Sequence, residues 1–185
     1  MHATVDGPPD NLLDAARFYR ERHGWAVHPL HGPAEGSERE RGKKPKLAGY
    51  NKPDYQGLDT DAALVAAFGN GKGSNLGIVV RPPHVVVDLD SKKDAGESVR
   101  AWLAERPELA EVPRERTAGG VHLHFICRDA PKLDGGKKVE QLNESVTAEI
   151  FTGPSNMVVS PSVHATGQRY AWEVFREDFP EVRWQ

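Results

Sequence analysis

Apolar and polar residues follow two rhythms along this chain, and the changes of rhythm mark its elements. Leu12, Leu13, Ala16 and Tyr19 recur at helical spacing between Asp10, a residue able to cap, and Gly24, a residue able to stop, so a helix is predicted there. Residues 25–30 then read as a short strand. A second short helix lies between Thr60, its cap, and Gly69. A glycine-rich turn at Gly71, Gly73 and Ser74 delivers the apolar strand 75–80, and Pro82-Pro83 turns the chain into a second apolar run ending Val87-Asp88-Leu89-Asp90. Two apolar strands with so short a link predict a hairpin.

Asp94 with Glu97 three residues on forms a capping-box-like start to a helix carrying Val99, Trp102 and Leu103, closed by Pro107. Residues 121–127 alternate strictly, with Val121, Leu123, Phe125 and Cys127 on one face and His122 and His124 on the other. A polar connection through Gly135-Gly136-Lys137-Lys138 leads to strands at 148–151, 156–162 and 169–174. Short strands joined by tight turns, with helices between some of them, predict an α+β sandwich around a mainly antiparallel sheet.

With 185 residues, the chain suits one domain or two closely packed lobes. Its apolar share of 38%, with no run long enough for a membrane span and no signal-peptide pattern at residues 1–6, points to a cytoplasmic protein with no membrane partner. The single cysteine, Cys127, excludes an internal disulfide and a cysteine-built zinc site, and reads as a small core residue beside Phe125. A net charge of −3 argues against a chain-wide electrostatic grip on nucleic acid but leaves room for a local basic groove. Residues 37–52 supply one candidate: six Lys or Arg against two Glu is a local excess of +4, in a stretch that is either a solvated loop or a phosphate-binding one.

Chemistry concentrates at the end of the acidic strand. Asp88 and Asp90 project from one face, and two like charges held so close are costly unless a cation sits between them; hard oxygen ligands select Mg²⁺ or Mn²⁺. An isolated D-x-D also describes a strand running into an Asx-rich turn. Glu149, flanked by Ile150 and Phe151, is an expensive residue for a core strand unless a cation or an ion pair serves it. Beside Asp88 and Asp90 it would complete the ligand set of a two-metal phosphoryl-transfer site. Glycines at 119 and 120 let backbone approach a triphosphate, and a histidine on the carboxylate face can donate to a phosphate oxygen.

Six motifs in order carry a family resemblance. They are Gly42-Lys43-Lys44-Pro45, Asn75-Leu76-Gly77-Ile78, Val87-Asp88-Leu89-Asp90, the element from Thr117-Ala118-Gly119-Gly120 through His122 to Phe125, Glu149, and the ending from Pro161-Ser162 through His164 and Gly167 to Tyr170-Ala171-Trp172. From about Asp10 to Trp172 the chain resembles the bifunctional DNA primase/polymerase, or prim-pol, domain of the archaeo-eukaryotic primase superfamily. The resemblance implies an RRM-like sheet packed on helices, with an amino-terminal α/β portion closing over the site. Residues 10–185 would form that catalytic domain after a disordered lead at 1–9, with a helicase or accessory domain following in a longer protein.

By the same resemblance Asp88, Asp90 and Glu149 would hold two Mg²⁺ or Mn²⁺ ions, Glu149 standing where many members have Asp. Gly120-Val121-His122 looks like the element that contacts the incoming nucleotide, with His122 as its phosphate ligand. Lys43 and Lys44 would meet triphosphate or template phosphates, with Arg116 and Arg114 secondary, and Ser160, Ser162 and His164 would border the nucleotide pocket. His124, Tyr170 and Trp172 read better as packing residues. The implied partners are a single-stranded DNA template with its primer and nucleoside triphosphates. The reaction is transfer of nucleotides to a 3′ hydroxyl. De novo priming in relatives often draws on a zinc element or helical bundle that this sequence lacks.

Two other functions stay open at this point. His122-Leu123-His124 also matches the His-hydrophobic-His signature of rolling-circle replication endonucleases. Such an enzyme needs a tyrosine on a nearby helix, whereas Tyr170 falls in a predicted strand, and it leaves Asp88, Asp90 and Glu149 unexplained. A non-catalytic nucleic-acid-binding module would have no need of three costly acids.

Overall fold

The computed structural model describes residues 7–70, 74–91 and 93–185, so Gly71 and Gly73 of the predicted glycine turn, and most of the predicted disordered lead, lie outside the described residues. The chain divides into two compact units, one formed by residues 1–79 and 154–171, the other by 80–153 and 172–185. Both combine helices with antiparallel strands, so the α+β class stands. No helix among the described residues is long and apolar enough to cross a membrane.

The first unit holds α1 (Leu12–His23), β1 (Val27–Leu30), α2 (Asp61–Phe68), β2 (Asn75–Val80) and β8 (Ser155–Val158), the strands in the order β1-β2-β8. Helix α1 begins one residue later than Asp10 suggested: Asn11 is its cap, its side chain accepting from the Asp14 backbone N–H, and Gly24 ends it with a left-handed φ of 65°. Thr60 caps α2 as expected. The helices are tied by a fork in which Arg17 Nε and Nη2 donate to the two carboxylate oxygens of Asp61 at 2.6 and 3.0 Å.

Central strand β2 is buried at every residue, as a continuous apolar run demands. Its polar residue Asn75 sews the basic loop to the turn after β8. Asn75 Nδ2 donates to the carbonyls of Gly42 and Val163 at 2.8 and 2.7 Å, and Oδ1 accepts from the Val163 N–H. Buried His28 does similar work: Nε2 must donate to the Asn156 carbonyl oxygen at 2.7 Å, leaving Nδ1 to accept from the Tyr55 hydroxyl at 3.1 Å. The Asn156 amide in turn donates to the Lys43 carbonyl.

The second unit contains β3 (His84–Asp90), α3 (Glu97–Ala104), β4 (Arg114–Arg116), β5 (Gly120–Ile126), β6 (Lys137–Gln141), β7 (Thr147–Phe151) and β9 (Ala171–Val174), in one sheet of order β6-β7-β3-β5-β4-β9. Three expectations change here. β2 and β3 are not a hairpin: they belong to different sheets, because each is an apolar run that needs two partners of its own, β1 and β8 for one, β5 and β7 for the other. The polar connection at 135–138 ends in strand β6, which lacks an apolar face of its own and is held by pairing with β7. Helix α3 takes Gly96, φ 86°, at its cap position, while the Asp94 carboxylate accepts from the Ser98 N–H and hydroxyl; there is no capping box.

Strand 156–162 is also shorter than predicted, since the Ser162 hydroxyl is occupied by the β2 backbone, accepting from Leu76 N–H at 2.9 Å. One face of the sheet packs Leu89, Val121, Leu123 and Ala148 against Val99 of α3, with Val112 and Val146 closing the core.

Burial holds the His28 imidazole below its ordinary pKa of 6.5, with the Asn156 contact opposing that in part. The unfolded chain therefore takes up a proton first as pH falls below about 6.5, and stability declines with it, by at most ~1.4 kcal/mol per pH unit. Urea unfolding at pH 7.5 and 5.5 should show a smaller loss in His28→Gln than in wild type; equal losses would refute the assignment.

Candidate active site

The other face of the six-stranded sheet is polar, and strand register explains why. Directly paired residues of antiparallel neighbours share a face. Asp88 is paired with Glu149 on one side and His122 on the other, and His122 with Glu115 beyond it. A row Glu149, Asp88, His122, Glu115 thus crosses four strands. Asp90 stands one step along the same face, opposite Gly120 and Thr147. The alternation of β3 and β5 seen in the sequence places these groups on the face opposite the α3 core.

His122 is 4% exposed and Glu115 fully buried. His122 Nδ1 donates to Glu115 Oε2 at 3.3 Å, which leaves Nε2 toward Asp88 Oδ1 at 3.8 Å, an electrostatic contact rather than a hydrogen bond. Burial favours the neutral imidazole, yet Asp88, Glu115 and Asp90 together outweigh it and hold the His122 pKa above its usual value. Asp88 is pushed above the ordinary carboxylate range, first by burial; His122 offsets part of this, and Asp90 and Glu149 add to it. Glu149 is engaged by Lys137, whose Nζ lies 2.6 Å from Oε2.

Asp90 sits in a cradle made by a missing side chain. A Cβ at Gly119 would fall 1.8 Å from Asp90 Oδ1, so the carboxylate occupies the space that any other residue at 119 would fill. Gly120 has a different reason: a Cβ there would meet the Leu89 carbonyl oxygen at 1.9 Å, so glycine lets β5 close on β3. The Thr117 hydroxyl accepts from the Gly120 N–H at 3.0 Å and shapes the turn between β4 and β5.

Donor chemistry on this face suits a hard divalent cation: Asp88 and Asp90 offer carboxylate oxygens on one strand face, and the raised Asp88 carboxyl is the group a bound cation would relieve. Among the described residues no three His, Cys, Asp or Glu side chains converge at ligand spacing. Glu149, beside Asp88 on this face, is instead taken up by Lys137.

The remaining residues singled out in the sequence fall elsewhere. Arg114 and Arg116 pair with Leu123 and Val121, which puts them on the opposite face; Arg114 Nε donates to Glu173 at 3.1 Å and Arg116 is exposed at the strand end. His124 shares the His122 face but stacks on His84, rings 5.2 Å apart with Nδ1 3.0 Å from His84 Nε2, and packs at a tilt against Trp172 at 4.7 Å. Cys127 is buried as expected.

Lys43, Lys44, Ser160, Ser162 and His164 belong to the first unit. There Lys43 and Lys44 are exposed, and Lys44 forms an ion pair with Glu40 that lowers the Glu40 carboxyl to about 2. Ser160 and Ser162 are buried, and His164 Nδ1 accepts from the Thr166 N–H at 3.2 Å in a turn. Tyr170 is buried with Leu30 and Val158.

Sequence reasoning missed Glu115 and Lys137. Glu115 sits between two arginines in a polar stretch with no rhythm, and Lys137 in what reads as a loop. The one signal for Glu115 was its place two residues before Thr117, where the chain must already be in a strand to present Gly119 and Gly120.

A family model, that of the bifunctional DNA primase/polymerase N-terminal domain (Prim-Pol), matches residues 16–182. No curated protein matches the chain.

The two glycines make separable predictions. Gly119→Ala meets a movable carboxylate and should fold with a loss of about 1 kcal/mol while displacing Asp90. Gly120→Ala meets backbone and should lose ~1–3 kcal/mol or more. Thermal melts distinguish them, and equal melting would show that the contacts are wrongly assigned.

Proposed function

Because the chain belongs to the bifunctional DNA primase/polymerase N-terminal family, we propose that it is a nucleotidyltransferase that extends a DNA primer on a single-stranded template. The observation that carries this reading is the carboxylate face: Asp88, Asp90 and Glu149 on one side of a sheet whose other side is core. Asp88, Asp90 and Glu149 are the residues that would hold two Mg²⁺ or Mn²⁺ ions. When bound, such ions activate the attacking 3′ hydroxyl and neutralise charge on the departing pyrophosphate.

This chain's own part is positioning and electrostatics. His122, its ring held through Nδ1 by Glu115, presents Nε2 to the face where the α-phosphate must be attacked, and donates to a phosphate oxygen as charge develops there. No covalent protein intermediate is needed. The exposed Lys43 of the first unit offers a contact for nucleic-acid phosphates. A tyrosine-dependent endonuclease is not favoured: Tyr170 is buried in an apolar cluster, outside any helix, and His124 is spent on His84 and Trp172.

Extension of a labelled primer, with Mn²⁺ or Mg²⁺ and either deoxyribo- or ribonucleotides, tests this. Asp88→Ala/Asp90→Ala should lose incorporation by about a hundredfold or more while retaining DNA binding in a gel shift. Wild-type protein that binds DNA without metal-dependent incorporation would overturn the proposal.

A further inference from the structure

The strands of the six-stranded sheet carry four lysines and arginines, Arg114, Arg116, Lys137 and Lys138. Register divides them unequally. Arg114 pairs with Leu123, Arg116 with Val121 and Lys138 with Ile150, all on the core-side face. Lys137 pairs with Phe151, two residues from Glu149, and so stands on the carboxylate face. Its Nζ lies 2.6 Å from Glu149 Oε2 and 5.5 Å from the Phe151 ring centroid.

We propose that Lys137 is an exchangeable counter-ion: it neutralises Glu149 while no divalent ion is present, and when an ion takes that carboxylate its ammonium passes to the phosphates of the nucleoside triphosphate. The proposal rests on the metal-dependent reading above. Asp88, Asp90 and Glu149 on one face repel each other, and a cation within reach lowers that cost in the metal-free protein. The pair is also cheap to break, because the Lys137 and Glu149 side chains are 41% and 34% exposed, and ion pairs so exposed are weak. A lysine suits the exchange: a compact charge on a flexible four-carbon stem can swing from one oxygen to another without the fixed fork of arginine. Once displaced, it remains tethered beside the oxygens where triphosphate charge must be met.

Lys138 supplies an internal control, being adjacent in sequence, on the other face, and in an ion pair with Glu140. Mn²⁺ binding without nucleotide, followed by electron paramagnetic resonance, should be about two- to fivefold tighter in Lys137→Met than in wild type. At saturating Mn²⁺ the same variant should bind a non-hydrolysable nucleoside triphosphate about tenfold more weakly. Lys137→Arg should restore tight nucleotide binding in large part, and Lys138→Met should change neither affinity. Unchanged or weaker Mn²⁺ binding in Lys137→Met, or unchanged nucleotide affinity, overturns the role of Lys137. An Asp88→Asn/Asp90→Asn variant separates this from failure of the underlying reading: Mn²⁺ binding that persists there overturns the metal site itself.

Discussion

Everything on the polar face of the second unit depends on one constraint: acidic side chains brought together across an antiparallel sheet repel one another, at a cost that nearby cations reduce. Register places Glu149, Asp88 and Glu115 in one row, with Asp90 a step away. The protein answers with two groups of its own. His122 lies between Asp88 and Glu115, and Lys137 against Glu149. Asp88 still lies above the ordinary carboxylate range: burial raises it most, Asp90 and Glu149 add to that, and His122 and Lys137 offset only part.

The first unit solves the opposite problem with neutral groups. Asn75, Ser162 and Asn156 satisfy backbone donors and acceptors around β2 and the basic loop, and His28 in turn holds the Asn156 side chain. The hydroxyl of Ser162 and the backbone around His164 are committed to that scaffold. Charged groups of this unit such as Lys43 and Lys44 are exposed, and the Arg17–Asp61 fork is partly so, where water shares the cost.

Small residues set the tolerances of the carboxylate face. Gly119 gives its side-chain volume to Asp90, and Gly120 gives its own to the approach of two strands. In the sequence both glycines suggested room for a triphosphate. In the fold each has a local steric reason, which ties the T-A-G-G turn to the acidic strand through contact.

What the sequence determined by itself was whatever depends on near neighbours. Helix ends at Gly24 and Thr60 and the faces of β3 and β5, which put Asp88 and Asp90 opposite the apolar core, follow from spacing and residue type. Which strands pair was decided only by tertiary structure. The short link after β2 hid a change of sheet, and β6, with no apolar face, exists because β7 needs a partner. Glu115 and Lys137 were invisible for the same reason: a carboxylate's counter-charge is chosen across strands far apart in sequence, where pairing and burial, not local rhythm, set the distances.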